Sequence, residues 1–306
     1  MSVQLATKLR KPSGRPAWEE KPTPVGLAVK GLVLTGVVLA VIVPLWTVVV
    51  TSLSSRQTIN EAGGLVMIPK GIDASAYVVI FSGGTVTRAL WVSTLVTVGG
   101  TAISLVLTVL AAYGLSRPGS VGHRSLLFYF LLTFLIYPGL VPSYLVVTGL
   151  GLKDSLWALI LPTAVSVFNL VVIRAFFQAI PQELLDSARI DGASELRILT
   201  RIVLPLSKAV IAVVGLFYAV GYWNTWFNAL LYIDDNDKFP IQRILQSIVL
   251  QGQSPTFSGL PVGTSMPPTL AVKMAVVVVA VAPIAIVYPF IQRHFVKGVI
   301  LGAIKG

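Results

Sequence analysis

Few side chains in this 306-residue chain are placed for covalent chemistry. There is no cysteine, which removes disulfides and thiolate metal sites from consideration. His123 and His294 each stand without a second ligand at metal-binding spacing and read as polar groups at the ends of apolar runs. No serine, Ser116 and Ser125 included, lies in a G-x-S-x-G context with a base to activate it. No lysine is followed by Ser or Thr, so the G-x-x-x-x-G-K-[ST] loop that cradles ATP phosphates is missing. What remains is non-covalent recognition. Asn169 and Asn224 lie inside apolar runs, where a polar side chain is costly unless it faces a bundle interior or a wet cavity. Trp223, Trp226 and Phe227 beside Asn224 offer flat faces suited to stacking on sugar rings. Asn169, Trp223, Asn224 and Phe227 are therefore the expected lining of a solute path. The same residue types also make interfacial belts and interhelical hydrogen bonds, and the sequence leaves both readings open.

The elements that must position these groups are long apolar runs. Only 11% of residues are charged, against roughly 25% in ordinary soluble domains, and mean hydropathy is +0.84. A soluble fold could not cover itself with so little charge, so the expected class is an all-α polytopic membrane protein with six transmembrane helices. The net charge of +11 does not point to nucleic acid, because the basic residues flank the apolar runs instead of lining one polar face.

A basic, proline-bearing tail over residues 1–29 is expected to be disordered. The transmembrane domain, 30–306, is expected to hold spans near 31–53, 90–115, 126–147, 157–177, 208–233 and 270–290. The first is too long for a signal-peptide core. Pro138-Gly139 and Pro142 interrupt the third span and Pro162 the fourth, and such breaks are tolerated where freed backbone groups face protein or water. A short helix is expected near residues 74–81, within an external loop.

One stretch is different. Residues 179–207 form a polar, amphipathic loop between spans four and five. Leu185, Ala188, Leu196, Leu199 and Val203 recur at helical spacing as an apolar stripe, with Glu183, Asp186, Arg189, Arg197 and Arg201 opposite. Pro181 suits a first helical turn, Asp191-Gly192 supplies a left-handed turn, and Leu204-Pro205 is expected to end the second helix. The result is a two-helix hook. Six spans place both termini and this hook on one side, which collects sixteen of the 23 Lys and Arg residues. By the positive-inside rule that side is cytoplasmic.

Residue identity within the hook adds a resemblance. Asp186-Ser187-Ala188, three residues, Gly192, nine residues, then Ile202-x-Leu204-Pro205 resembles the EAA motif of binding-protein-dependent ABC importer permeases, in which Glu-Ala-Ala and Ile-x-Leu-Pro stand at the same spacing. Asp186 replaces Glu and Ser187 replaces Ala, and the spacing is intact. With Asp191, Gly192 and Ala193 the match is similar to the maltose-type carbohydrate subfamily. Phe176-Phe177-Gln178-Ala179-Ile180-Pro181, Tyr222-Trp223-Asn224, Tyr288-Pro289-Phe290, Phe295-Val296-Lys297-Gly298 and Gly302-Ala303-Ile304-Lys305-Gly306 resemble its smaller permease, in particular a lipo-oligosaccharide or aldouronate branch.

The resemblance implies a type I importer permease in a prokaryotic cytoplasmic membrane, surrounded by lipid and paired with a second homologous permease, an ABC ATPase dimer and an external solute-binding protein. ATP and Mg would then sit on the ATPase, with no cofactor on this chain. It also implies that the hook residues Asp186, Ser187, Ala188, Asp191, Gly192, Ala193, Ile202, Leu204 and Pro205 couple to that ATPase. The rival is a secondary transporter or channel, which needs ionisable groups inside its spans; apart from Arg174 and Lys273 near span ends the sequence offers almost none.

Overall fold

In the computed structural model the chain is all-α, described for residues 23–117, 119, 122–136, 138–249 and 268–303, with side chains described to residue 289. Most of the basic tail, residues 250–267, and the side chains of the Phe290 and Phe295–Gly298 motifs lie outside the described residues, as do residues 304–306. No strand occurs among the described residues.

The helices are α1 (Pro24–Ser52), α2 (Arg56–Glu61), α3 (Ser75–Ser82), α4 (Thr85–Ser116), α5 (His123–Leu135), α6 (Leu140–Gly149), α7 (Trp157–Ile160), α8 (Val167–Gln178), α9 (Gln182–Ile190), α10 (Glu195–Ile198), α11 (Leu204–Leu206), α12 (Lys208–Trp223), α13 (Trp226–Tyr232), α14 (Ile241–Val249) and α15 (Thr269–Ala303). Pro24–Ser52, Thr85–Ser116 and Thr269–Pro289 are each long and apolar enough to cross a membrane unaided. Three bent pairs pass the same test: His123–Leu135 with Leu140–Gly149, Trp157–Thr163 with Val167–Gln178 at 52°, and Glu195–Leu206 with Lys208–Trp223 at 85°.

Each break has a local cause. Gly139, at φ +88 after Pro138, separates α5 from α6. Pro162 lies in a 3₁₀ turn after α7, and Ser166 restarts the chain as N-cap of α8, its hydroxyl accepting from Asn169 N at 3.4 Å. The expected fifth span over 208–233 is not one helix. It stops at Trp223 because the Asn224 side chain turns back to donate to Val220 O at 2.9 Å, a local bond that competes with helix continuation.

Among the described residues, those up to Thr47 form one compact unit, made of α1 and opened by Thr23 Oγ1 accepting from Gly26 N with Pro24 in the first turn. Residues from Val48 onward form the other. Its largest core joins Val92, Val96, Val109 and Ala112 of α4 to Ile173 and Phe177 of α8 and to Val210, Val214, Tyr218 and Tyr222 of α12. A second core gathers α3, α14 and α15 around Ile80, Ile241 and Val276. Small residues let α4 and α12 approach closely: Gly215 lies under Leu105 and Gly100 under the Tyr222 ring.

At the start of α4, Arg88 pairs with Asp237, while Lys238 reaches both Asp154 and Asp235 and Lys153 reaches Asp234. Asp154, at φ +59, accepts from the backbone N–H groups of Asp234 and Asp235. These bonds, led by the Asp235 N–H, hold its carboxyl below the usual carboxylate range. Arg88, Lys153 and Lys238, which lie outside the group of sixteen basic residues on the hook side, thus gather near the start of α4.

Candidate functional site

The hook is built by a defined stop signal. After α9 the chain turns at Gly192, φ +78, with Ala193 N donating to Ala188 O at 2.9 Å and Gly192 N to Arg189 O at 3.0 Å. This paired arrangement is a Schellman stop, which requires the left-handed conformation that glycine takes without strain. Beyond it, α10 continues through a π-helical turn, Leu199–Val203, into α11. Leu204 stays helical at φ −61 and ψ −46, so the expected end at Leu204-Pro205 is corrected: the helix runs on to Leu206 and bends at Ser207. Pro205 cannot donate an N–H within this continuing helix, and the wider π turn of Leu199–Val203 lies directly before it.

The expected apolar stripe also needs correction. Leu185, Leu199 and Val203 are buried, but Leu196 is 68% exposed and Ile198 is buried instead. Helical register carries across a continuous helix only, and the turn at Gly192 resets it. The hook's inner side, Leu185, Ile198, Leu199 and Val203, belongs to the main core, with Ala188, Ala193, Ile202 and Leu204 packed against it. Its outer side presents Leu184, Ile190 (86% exposed) and Leu196. Asp186, Ser187, Asp191, Gly192 and Pro205 are exposed.

A polar cluster fixes the hook's two arms. Arg189 donates from Nη1 to Asp186 at 2.8 Å and from Nε to Glu195 at 3.0 Å, while the Tyr113 hydroxyl at the end of α4 donates to the other Glu195 oxygen. Arg117 lies over the Tyr113 ring at 4.3 Å. The Tyr113 hydrogen bond, and then that of Arg189, hold the Glu195 carboxyl below the usual carboxylate range. Arg174 of α8 donates to Leu115 O at 2.9 Å, satisfying a carbonyl left free at the end of α4.

The second feature is a cavity of about 570 Å³. Thr163 and Ser166 line it from the break in span four, Phe168 and Asn169 from α8, and Phe217, Tyr218, Gly221 and Tyr222 from α12. Asn224, Thr225, Phe227 and Asn228 complete it from the break after α12 and from α13. Three expected residues, Asn169 (4% exposed), Asn224 and Phe227, therefore meet in one cavity. Trp223 does not, and that expectation is corrected: it is 5% exposed in the second core, with Nε1 donating to Ala280 O of α15 at 3.1 Å. Adjacent residues on a helix diverge by about 100°, so Tyr222 and Trp223 cannot share a face. Trp226 packs edge-on against Phe227, centroids 5.4 Å apart.

Among the wall residues that the expected lining omits are Tyr218 and Tyr222, both nearly fully buried. Both hydroxyls are taken by groups on α4: Tyr222 pairs with Ser104 at 2.7 Å and Tyr218 with Thr108 at 2.6 Å. Thr97, Thr101, Ser104 and Thr108 mark one helix face at steps of four, three and four, a signal already present in the sequence.

A family described as binding-protein-dependent transport system inner membrane component matches residues 104–301. Among curated proteins, the chain is 48% identical over 257 residues to the polygalacturonan/rhamnogalacturonan transport system permease protein YtcP of Bacillus subtilis, covering 83% of this chain and 90% of that one. It is 42% identical over 275 residues to protein LplC of the same organism, covering 90% and 93%. Among solved structures, a chain of a bacterial ABC transporter involved in import of the acidic polysaccharide alginate superposes with a TM-score of 0.83 at 28% identity, covering 92% of this chain and 100% of that one.

Proposed function

The chain belongs to the family of binding-protein-dependent transport system inner membrane components, and from that membership we propose that it is the permease subunit of an ATP-driven importer of oligosaccharides. Relatives named for polygalacturonan/rhamnogalacturonan transport and for alginate import support a carbohydrate cargo. In this reading the chain spans a prokaryotic cytoplasmic membrane with both termini and the hook inside, beside a second permease. An ATPase dimer holds ATP and Mg below, and a solute-binding protein delivers cargo outside.

The observation that carries the reading is the two-sided hook. Its inner leucine, isoleucine and valine side chains are anchored in the core of the spans, while Leu184, Ile190 and Leu196 stand in solvent. Exposed apolar side chains rimmed by charge mark a protein docking surface, here one for the ATPase. Closing of the ATPase dimer would then displace the hook as a lever. Its motion reaches α4 through Glu195 and Tyr113, and reaches α12 directly through the bend at Ser207. Because α12 and α13 carry much of the cavity wall, that motion reshapes the solute path.

The test is co-expression with the candidate sister permease and ATPase, followed by purification through a tag on this chain. The reading predicts that the ATPase co-purifies, and that Leu196→Asp with Ile190→Asp releases it while the sister permease is retained. Retention of the ATPase by that double variant would refute the docking assignment. A cytoplasm-specific reporter should be active after Lys208 and at Gly306 and inactive near Asp237; activity at Asp237 would reverse the orientation.

A further inference from the structure

Resting on the reading of the cavity as the solute path, we propose that Ser104 and Thr108 are positioning residues that hold the buried Tyr222 and Tyr218 as a fixed wall behind the solute. Neither α4 residue lines the cavity; both tyrosines do. The Tyr222 hydroxyl has one proton, and Ile160 O, 3.1 Å away, can only accept it. Ser104 must therefore be the donor in its bond to Tyr222. Tyr218 accepts from Ser166 N at 2.9 Å and pairs with Thr108 at 2.6 Å.

Each tyrosine thus joins three elements: α4, α12, and the broken fourth span at Ile160 or Ser166. The Tyr222 ring is also wedged. A Cβ built on Gly100 would lie 2.9 Å from three of its atoms, so the ring packs directly on bare backbone. A ring held at its hydroxyl and against its face has lost its rotamer freedom before any solute arrives. A solute entering the cavity then meets a wall that needs no further ordering, which is how preorganisation improves binding. The same helix face supplies an internal control, since Thr97 and Thr101 carry buried hydroxyls with no partner among the described residues.

The experiment uses the assembled importer, this chain with its sister permease and ATPase, in proteoliposomes supplied with its binding protein. ATP-dependent uptake of di- to tetrameric oligogalacturonides and of neutral malto-oligosaccharides is measured per assembled complex, together with binding-protein-stimulated ATPase activity. Ser104→Ala and Tyr222→Phe each break the same bond. Ser104→Ala is expected to lower uptake about five-fold, the worth of one buried hydrogen bond, and Tyr222→Phe, which also loses the bond to Ile160 O, by at least as much. The double variant should be no worse than Tyr222→Phe alone, Ser104→Thr should recover most of the rate, and Thr101→Val should match wild type. ATPase stimulation should persist in all of them. Wild-type uptake by Tyr222→Phe, a loss that only follows the yield of complex, or an equal loss in Thr101→Val would overturn the proposal. A wild-type complex that hydrolyses ATP yet imports no saccharide would instead overturn the carbohydrate reading, and this proposal with it.

Discussion

Tyr113, on the last turn of α4, donates its hydroxyl to Glu195, the first residue of α10, and so pins the hook's second arm to the end of a membrane span. Glu195 also accepts from Arg189 on the first arm, so one carboxylate ties three segments together.

This contact sets a pH dependence. The Glu195 carboxyl is held below its ordinary value, first by Tyr113 and then by Arg189, so its folded pKa lies below its unfolded one. The stability it contributes is therefore fully present above the ordinary carboxylate value of about 4.3 and is lost as pH falls through the depressed value. Limited proteolysis between Arg189 and Arg201 should stay slow from neutral pH to about 5 and accelerate below 4. In Glu195→Gln it should be faster at neutral pH and nearly flat with pH. An unchanged acid onset in that variant would mean that another group controls the hook.

The Gly192 turn predicts a split between two substitutions. No atom lies within 4 Å of a Cβ placed there, so the constraint is φ +78 alone. Asparagine tolerates that conformation and valine does not, at a cost of roughly 1–2 kcal/mol or more. Gly192→Asn should keep saccharide-stimulated ATPase activity near wild type, and Gly192→Val should uncouple hydrolysis from uptake. Equal activity in the two variants would show that the turn is dispensable.

Gly100 is constrained in the opposite way, by space. Gly100→Ala should destabilise the assembled complex by about 1–3 kcal/mol, because a doubly bonded ring cannot move aside. Thermal unfolding of the purified complex reads this directly. A melting temperature at or above wild type would show that the Tyr222 ring has room to shift.

Trp223 and Asn224 are neighbours with different fates. Trp223→Ala opens a cavity between α12 and α15 at a cost of about 3–5 kcal/mol, so the yield of complex should fall while uptake per surviving complex holds. Asn224→Ala and Phe227→Ala should do the reverse. Quantifying complex and uptake together would expose any exchange of these roles.

Much of this arrangement is legible in the chain itself, for identifiable reasons. The sparse charge demands membrane helices, Pro138-Gly139 and Pro162 mark breaks that do occur, and Asp191-Gly192 marks a turn that does form. The misreadings come from carrying one helical register through a break. Leu196 is assigned to the buried stripe as though α9 and α10 were continuous, and Trp223 is grouped with Asn224 by adjacency although the side chains on α12 diverge. The tyrosine wall is harder to foresee, because Ser104 and Tyr222 are 118 residues apart and only packing of α4 on α12 brings them together.

The most direct test of the central claim is oligosaccharide accumulation in sealed proteoliposomes that contain this chain, its sister permease and the ATPase, with binding protein outside and ATP and Mg inside. The account predicts accumulation that stops when ATP is replaced by a non-hydrolysable analogue or when Ile190→Asp and Leu196→Asp remove the hook's apolar rim. Accumulation that persists without ATP hydrolysis, driven by an imposed proton or sodium gradient, would contradict it.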